Sequence, residues 1–353
     1  MNKPNLNGES FGRTPDGRAA SLYTLENEHL CVRITDYGGR MASLEAPDRD
    51  GARIPVALGF DTVEDYVMAG KPFGALLGRT SNRIAGGRFS LDGRRYDLVK
   101  NEGDHTLQGG GVFGKVLWEV AAAHVSELVL THVSADGDQG YPGELEIRAT
   151  YRLEGATLWL ELEARTSKPT VVSLSAHPYF NLRGVDAGSV LDHEFTIAAN
   201  AFLPTDAKQI PTGERCDVTA TPFDFRRPMT AAARIRQPDP QLLYAKGYDH
   251  YFILDPAENE APRFAARATD PVSGRSLDIL TTQSGLQFYT GNNLDGTIAG
   301  RGGIYRQSAA FSFEPQGFPN APNQRDFPSV VLRPDEVYRH SIGYAFGVFE
   351  SGT

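Results

Sequence analysis

Residues 145–162 read Leu145-Glu146-Ile147-Arg148-Ala149-Thr150-Tyr151-Arg152-Leu153-Glu154-Gly155-Ala156-Thr157-Leu158-Trp159-Leu160-Glu161-Leu162. Up to Leu153, apolar side chains take every second place and charged or polar ones fill the gaps. Successive Cβ atoms of a strand point to opposite faces, so this period of two marks a strand with one buried side. Glu154-Gly155 interrupts the pattern, and it resumes from Ala156. Two alternating runs joined across a glycine read as an antiparallel hairpin.

The same signature recurs on either side. Arg88-Phe89-Ser90-Leu91 and Arg94-Arg95-Tyr96-Asp97-Leu98 flank Asp92-Gly93, a strong hairpin-turn dipeptide. Leu30, Val32 and Ile34 alternate near the N-terminus. Helical patterns are short: Thr62 to Met68, and Thr230 to Ile235. Strands do not alternate with long helices, which argues against a βαβ architecture. The 37 glycines and 22 prolines suit many tight turns. The fold expected is all-β, a large antiparallel β-sandwich with few short helices. No repeat or linker divides the chain, so residues 1–353 read as one domain, with 1–20 a poorly ordered or peripheral segment.

Hydrophobic residues make up 40% of the 353 and charged residues 22%, enough for a sizeable core without metals or disulfides. The net charge of -9 argues against a nucleic-acid partner and gives anionic substrates no global attraction. Cys31 and Cys216 form no CxxC unit and read as buried thiols in a reducing compartment. The opening MNKPNLNGESFGRTPDG has no apolar signal-peptide core, and no run approaches ~18 apolar residues. The expectation is a cytoplasmic protein with no membrane partner.

Several motifs fail on context. Gly109-Gly110-Gly111-Val112-Phe113-Gly114-Lys115 satisfies G-x-G-x-x-G, yet Val116 stands where a phosphate loop needs Ser or Thr. A strand-like Val116-Leu117-Trp118-Glu119-Val120 follows instead of a helix. A tight loop whose glycines let the backbone approach another element fits better. The eight histidines show no metal-ligand spacing, and Gly-x-Ser-x-Gly is absent. No metal and no cofactor is expected.

Three segments are polar where a strand core would be apolar: Gly78 to Gly87, Ser175 to Leu182 and Ala310 to Pro319. His177 follows a strand-like run beside Pro178 and two aromatics, a place where an acid–base residue would be held rigidly. Glu314 lies in an aromatic run, where apolar neighbours raise a carboxylate pKa toward that of a general base. An outward-facing Glu314, opposite Phe313, is the other reading of the same alternation.

Taken together, these segments resemble the aldose 1-epimerase (galactose mutarotase) family over nearly the whole chain. The matching pieces run in order: Leu58-Gly59-Phe60-Asp61 with Tyr66; Gly78-Arg79 through Asn82-Arg83-Ile84; Asp136-Gly137 through Gly140-Tyr141-Pro142-Gly143; His177 to Leu182; Tyr248-Asp249-His250; Leu286 to Asn292; Phe313-Glu314 through Phe327-Pro328-Ser329, then Pro334 to Tyr338. The resemblance implies a mutarotase-like supersandwich and an isomerase that opens and recloses the ring of a free aldose such as galactose or glucose. It makes Glu314 the base and His177 the acid, set on opposite sides of the sugar. It makes Asn82, Arg83, Asp249 and Gln287 the hydroxyl-binding residues, in a monomer or homodimer. Gln108 stands where the family usually has a sugar-contacting histidine; it can donate and accept hydrogen bonds but cannot carry a proton. His105, three residues earlier, is a poor substitute, since a strand would point it elsewhere.

Three rivals remain at this stage. A glycosidase would use Asp249 as a second carboxylate beside Glu314. A hexose-6-phosphate 1-epimerase of the same fold would need an arginine cluster, for which Arg79 and Arg83 are candidates. A non-catalytic carbohydrate-binding β-sandwich would bind without catalysis.

Overall fold

The structure, a computed structural model, describes residues 6–255 and 259–349. The decisive hairpin forms as read: Leu145–Glu154 pairs antiparallel with Thr157–Thr166. Leu145, Ile147, Ala149, Tyr151 and Leu153 are buried on one face, as are Leu158, Leu160, Leu162 and Ala164. This pair sits in a nine-stranded sheet. Its strands run in the order Glu119–His124, Glu127–Ser134, Leu145–Glu154, Thr157–Thr166, Tyr338–Val348, Arg275–Thr281, Arg263–Thr269, Glu194–Ile197 and Met229–Thr230. Every neighbouring pair is antiparallel.

Two five-stranded sheets pack against it. One is a meander of Glu9–Arg13, Ala19–Glu26, Cys31–Thr35, Arg40–Pro47 and Arg53–Pro55. The other runs Cys216–Asp217, Ala199–Leu203, Asp249–Leu254, Gly285–Tyr289, Ser312–Gln316. A single apolar cluster joins all three sheets: Val32, Ile34 and Leu44 from the meander, Leu160, Ile279 and Ile342 from the large sheet, Phe252, Phe288 and Phe313 from the third. This is a sandwich, an all-β fold with sheets stacked face to face. Residues 1–5 of the N-terminal segment lie outside the described residues; Glu9–Arg13 is an edge strand of the meander.

Arg88–Leu91 and Arg94–Asp97 form the expected Asp92-Gly93 hairpin. Val63–Ala69 is helical, with Thr62 Oγ1 accepting the Asp65 N–H and Gly70 closing the helix at φ 63°. The helix expected over Thr230 to Ile235 shrinks to one 3-10 turn at Ala231–Ala233. Thr230 is committed to a strand with Glu194, which leaves too few residues to nucleate an α-helix. The second helix is instead Pro240–Ala245, capped by Asp239 with Pro240 in its first turn. The strand after the glycine-rich loop begins at Glu119. Cys31 and Cys216 are free thiols, half-buried and not sealed in the core as expected.

Candidate active site

The third sheet places three of the candidate residues by register alone. Gln287 pairs with Glu314, and Asp249 with Tyr289, so Asp249, Gln287 and Glu314 share one face. The alternate residues Phe252, Leu286, Phe288 and Phe313 point the other way into the apolar cluster. Burial of those side chains turns the carboxylates and the amide outward from the core.

His177 follows the strand Ser175–Ala176, which pairs with Leu76–Leu77. Its backbone is tied at both ends: the His177 N–H donates to Ala75 O at 2.9 Å and its carbonyl accepts from Gly74 N at 2.9 Å. Arg83–Ile84 pairs with Thr106–Leu107, which delivers Asn82 and Gln108 side by side. The Gln108 N–H donates to Asn82 O at 2.9 Å, and Asn82 N–H donates to Gln108 Oε1 at 2.8 Å. Gly109 sits at φ 61°, and a Cβ there would collide with the Gly78–Arg79 backbone. The glycine-rich loop is thus a close-packing device, as its sequence context indicated.

His177, Glu314, Asn82, Arg83, Gln108, Asp249 and Gln287 all line one cavity of about 170 Å³, together with Tyr179, Tyr289, Glu102, Asn293 and Lys71. His177 Nε2 lies 3.3 Å from Glu314 Oε1. Both side chains are buried, at 7% and 2% exposure. Glu314 Oε2 and His177 Nδ1, both buried, have no hydrogen-bond partner in the protein. Tyr179 stacks on the His177 ring at 4.6 Å between centroids and fixes its plane.

Burial sets the protonation. It lifts the Glu314 carboxyl well above the usual carboxylate range; the nearby Asp249 charge adds to this, and the Gln108 amide and Arg83 oppose it. Burial also pushes His177 down to about 3. Burial thus disfavours the charged form of both groups and biases a proton shared by the unliganded pair toward the Glu314 carboxyl. The ion pair of a carboxylate and an imidazolium contains that same single proton, moved across the 3.3 Å gap.

The expectation that the two groups flank the sugar from opposite sides does not hold. They stand edge to edge on one wall. That arrangement still suits a hemiacetal, because the anomeric hydroxyl and the ring oxygen are bonded to the same carbon.

A polar network backs the cavity. Arg83 Nε and Nη2 donate to the two oxygens of Glu102 at 2.6 and 2.8 Å. Arg83 Nη2 also donates to Gln209 Oε1 at 2.6 Å. Gln209 Nε2 donates to Asp249 Oδ2 at 3.3 Å, and Gln287 Nε2 to Asp249 Oδ1 at 2.7 Å. Glu102 and Gln209 escaped the sequence reading, since neither lies in a polar segment flanked by strand patterns.

Two other candidates drop out of the site. Arg79 is buried, and its donors go to Ser134 Oγ, Ser134 O, Ala135 O, Pro142 O and Gly143 O at 2.7 to 3.0 Å. It staples loops together and leaves no fork for a phosphate. Arg83 is likewise held by Glu102, so the arginine cluster that a sugar phosphate would need is not formed. His105 lies outside the cavity, its Nδ1 accepting the Gly86 N–H at 3.1 Å.

Known proteins carry the same fold and chain length. A family model described as Aldose 1-epimerase matches residues 21–345. Galactose mutarotase of Sus scrofa is 41% identical over 341 residues, spanning 96% of this chain and 97% of that one. Aldose 1-epimerase of Escherichia coli is 33% identical over 343 residues, spanning 96% and 98%. Among solved structures, an aldose epimerase homologue from C. elegans superposes with a TM-score of 0.87 at 28% identity, over 94% of this chain and all of that one. Galactose 1-epimerase from Lactobacillus acidophilus gives 0.85 at 25%, over 98% and 99%. By its sequence, its sandwich and its length, the chain belongs to the aldose 1-epimerase family, isomerases that interconvert the α and β anomers of free aldoses.

Proposed function

We propose that Glu314 and His177 are the acid–base pair of this isomerase, and that Asn82, Arg83, Gln108, Asp249 and Gln287 hold the sugar hydroxyls. The observation that carries the reading is the 3.3 Å contact between His177 Nε2 and Glu314 Oε1, in a cavity where each group keeps one unpartnered polar atom. Ring opening needs a proton taken from the anomeric hydroxyl and one given to the ring oxygen. Glu314 takes the first as base and His177 gives the second as acid. After rotation about the C1–C2 bond the roles reverse and the ring closes on its other face. The pair ends with the one proton it began with. The balance needs no redox partner or cofactor.

The hydroxyl-binding groups supply orientation, a large part of the rate in a two-proton transfer. The bound hydroxyls would meet Arg83 and Asp249 already fixed by Glu102, Gln209 and Gln287. Free aldoses, galactose or glucose among them, are the proposed substrates. The chain is proposed to work as one domain, as a monomer or homodimer, in the cytoplasm. The common apolar cluster supports the first point, and two free thiols support the last. Among the described residues no helix is long and apolar enough to cross a membrane.

Glu314→Gln tests the reading. It keeps the shape and removes the exchangeable carboxyl proton, so polarimetry of freshly dissolved α-galactose should show most catalysis lost. Near wild-type rates in this variant would remove Glu314 from the mechanism.

A further inference from the structure

We infer that Gln209 is a positioning residue whose side-chain amide holds Arg83 and Asp249 apart, so that both stay available to sugar hydroxyls. This rests on the reading that those two residues bind the substrate.

The inference starts from an electrostatic oddity. Arg83 and Asp249 line the same small cavity, yet Arg83 pairs with Glu102 there and forms no ion pair within 4 Å with Asp249. Opposite charges in a dry site attract strongly and would otherwise close on each other. A direct pair would consume the groups needed for recognition. Gln209 stands between them: its oxygen accepts from Arg83 Nη2 at 2.6 Å and its nitrogen donates to Asp249 Oδ2 at 3.3 Å. A carboxamide offers an acceptor to one neighbour and a donor to the other, from two separate atoms and without adding charge. The two partners also fix which way the amide is turned.

The backbone beneath Gln209 is built for this. Gln209 sits at φ 60°, a left-handed conformation that favours glycine or asparagine. A longer side chain there runs against the local preference, and such outliers cluster at ligand clamps. The turn is rigid. Asp206 Oδ1 accepts from Lys208 N and Ile210 N at 2.8 and 3.0 Å, and Gln209 N donates to Asp206 O at 2.9 Å. Gln241 then clasps Thr205 by three hydrogen bonds, from Thr205 N and Oγ1 to its Oε1 at 2.7 and 3.3 Å and from its Nε2 to Thr205 O at 2.8 Å. A loop anchored so closely can deliver one side chain to a fixed point in a neighbouring cavity. Arg83 commits Nε and Nη2 to Glu102 and Gln209, which leaves Nη1 for a ligand.

Steady-state mutarotation kinetics on Gln209→Leu, Gln209→Glu, Asp249→Asn and Gln209→Leu/Asp249→Asn test the idea. Leu removes the bridge, and Glu keeps the acceptor but repels Asp249. Both should raise KM for galactose about tenfold or more with kcat within about threefold, the pattern of lost uniform binding. In the double variant the Gln209 effect should shrink, because the carboxylate it restrains is gone. A wild-type KM in the Gln209 variants, or effects that multiply fully in the double variant, would overturn the inference. Should Gln209→Leu fail to fold, Gln209→Glu decides alone. If Asp249→Asn itself leaves KM unchanged, the substrate-binding reading has failed; if Asp249→Asn is impaired while both Gln209 variants are normal, only the spacer has failed.

Discussion

At the scale of single residues, the chemistry turns on where one proton rests. Burial keeps His177 neutral down to about pH 3 and keeps Glu314 protonated well above the ordinary carboxylate range. The pair gains a second proton only far below neutrality. A kcat/KM profile from about pH 4.5 to about pH 8 should therefore lack a fall on the acid side near the free-histidine value. An inflection near 6.5 would mean that His177 exchanges with solvent at its free value. His177→Asn should cost on the order of 100-fold in kcat, the usual worth of one acid–base group; a loss under about threefold would assign it a structural role. Arg79 offers a contrast, a buried charge with no part in catalysis. Arg79→Leu strands the carbonyls of Ser134, Ala135, Pro142 and Gly143. A loss of about 3 kcal/mol or more is expected in urea unfolding, from several unpaired buried acceptors at once.

At the scale of elements, what could be read in advance was what local chain chemistry dictates. Strands with one wet face write that face into alternate residues, so the 145–162 hairpin and the Asp92-Gly93 turn were plain. The short helical pattern from Thr62 to Met68 was legible too, while its cap, Thr62 Oγ1 accepting from the Asp65 N–H, came only with the structure. Thr62→Ala should cost about 1 kcal/mol without changing kcat, and thermal melts beside polarimetry would check both. The Pro240–Ala245 helix was too short to show a period. The site was half legible. His177 and Glu314 stood out because polar groups interrupted apolar runs. Glu102 and Gln209 did not, because they act through Arg83 from 19 and 126 positions away in loops without pattern. Nothing along the chain marks a loop residue for the partner that folding will give it. Nor did the motif reveal that acid and base would share a wall, because their relative orientation depends on how two separate strands converge.

At the scale of the whole molecule, three sheets share one apolar interior, and several histidines are sealed into it. His340 is held between Thr281 Oγ1 and Leu174 O and is pushed down to about 4, chiefly by burial. Between that value and 6.5 the unfolded chain binds a proton at this position and the folded chain does not. The contribution of His340 to stability is thus complete above about 6.5 and is lost as pH falls toward 4. Asp36, raised to about 6 by burial, pulls the other way. A variant comparison isolates the histidine: His340→Gln should lose less of its urea midpoint than the wild type between about pH 7 and about pH 5. Equal losses would show that His340 does not contribute.

The pairing of Gln287 with Glu314 carries a last consequence. Sliding that strand by one position would thrust a carboxylate among phenylalanines and lift Phe313 into the sugar's place. Selection for a stable protein therefore polices the catalytic face without any reference to turnover. Evolution toward a new sugar, or an engineer pursuing one, is left with the loops that hold Asn82, Gln108 and Gln209, where a residue can change and the core does not notice.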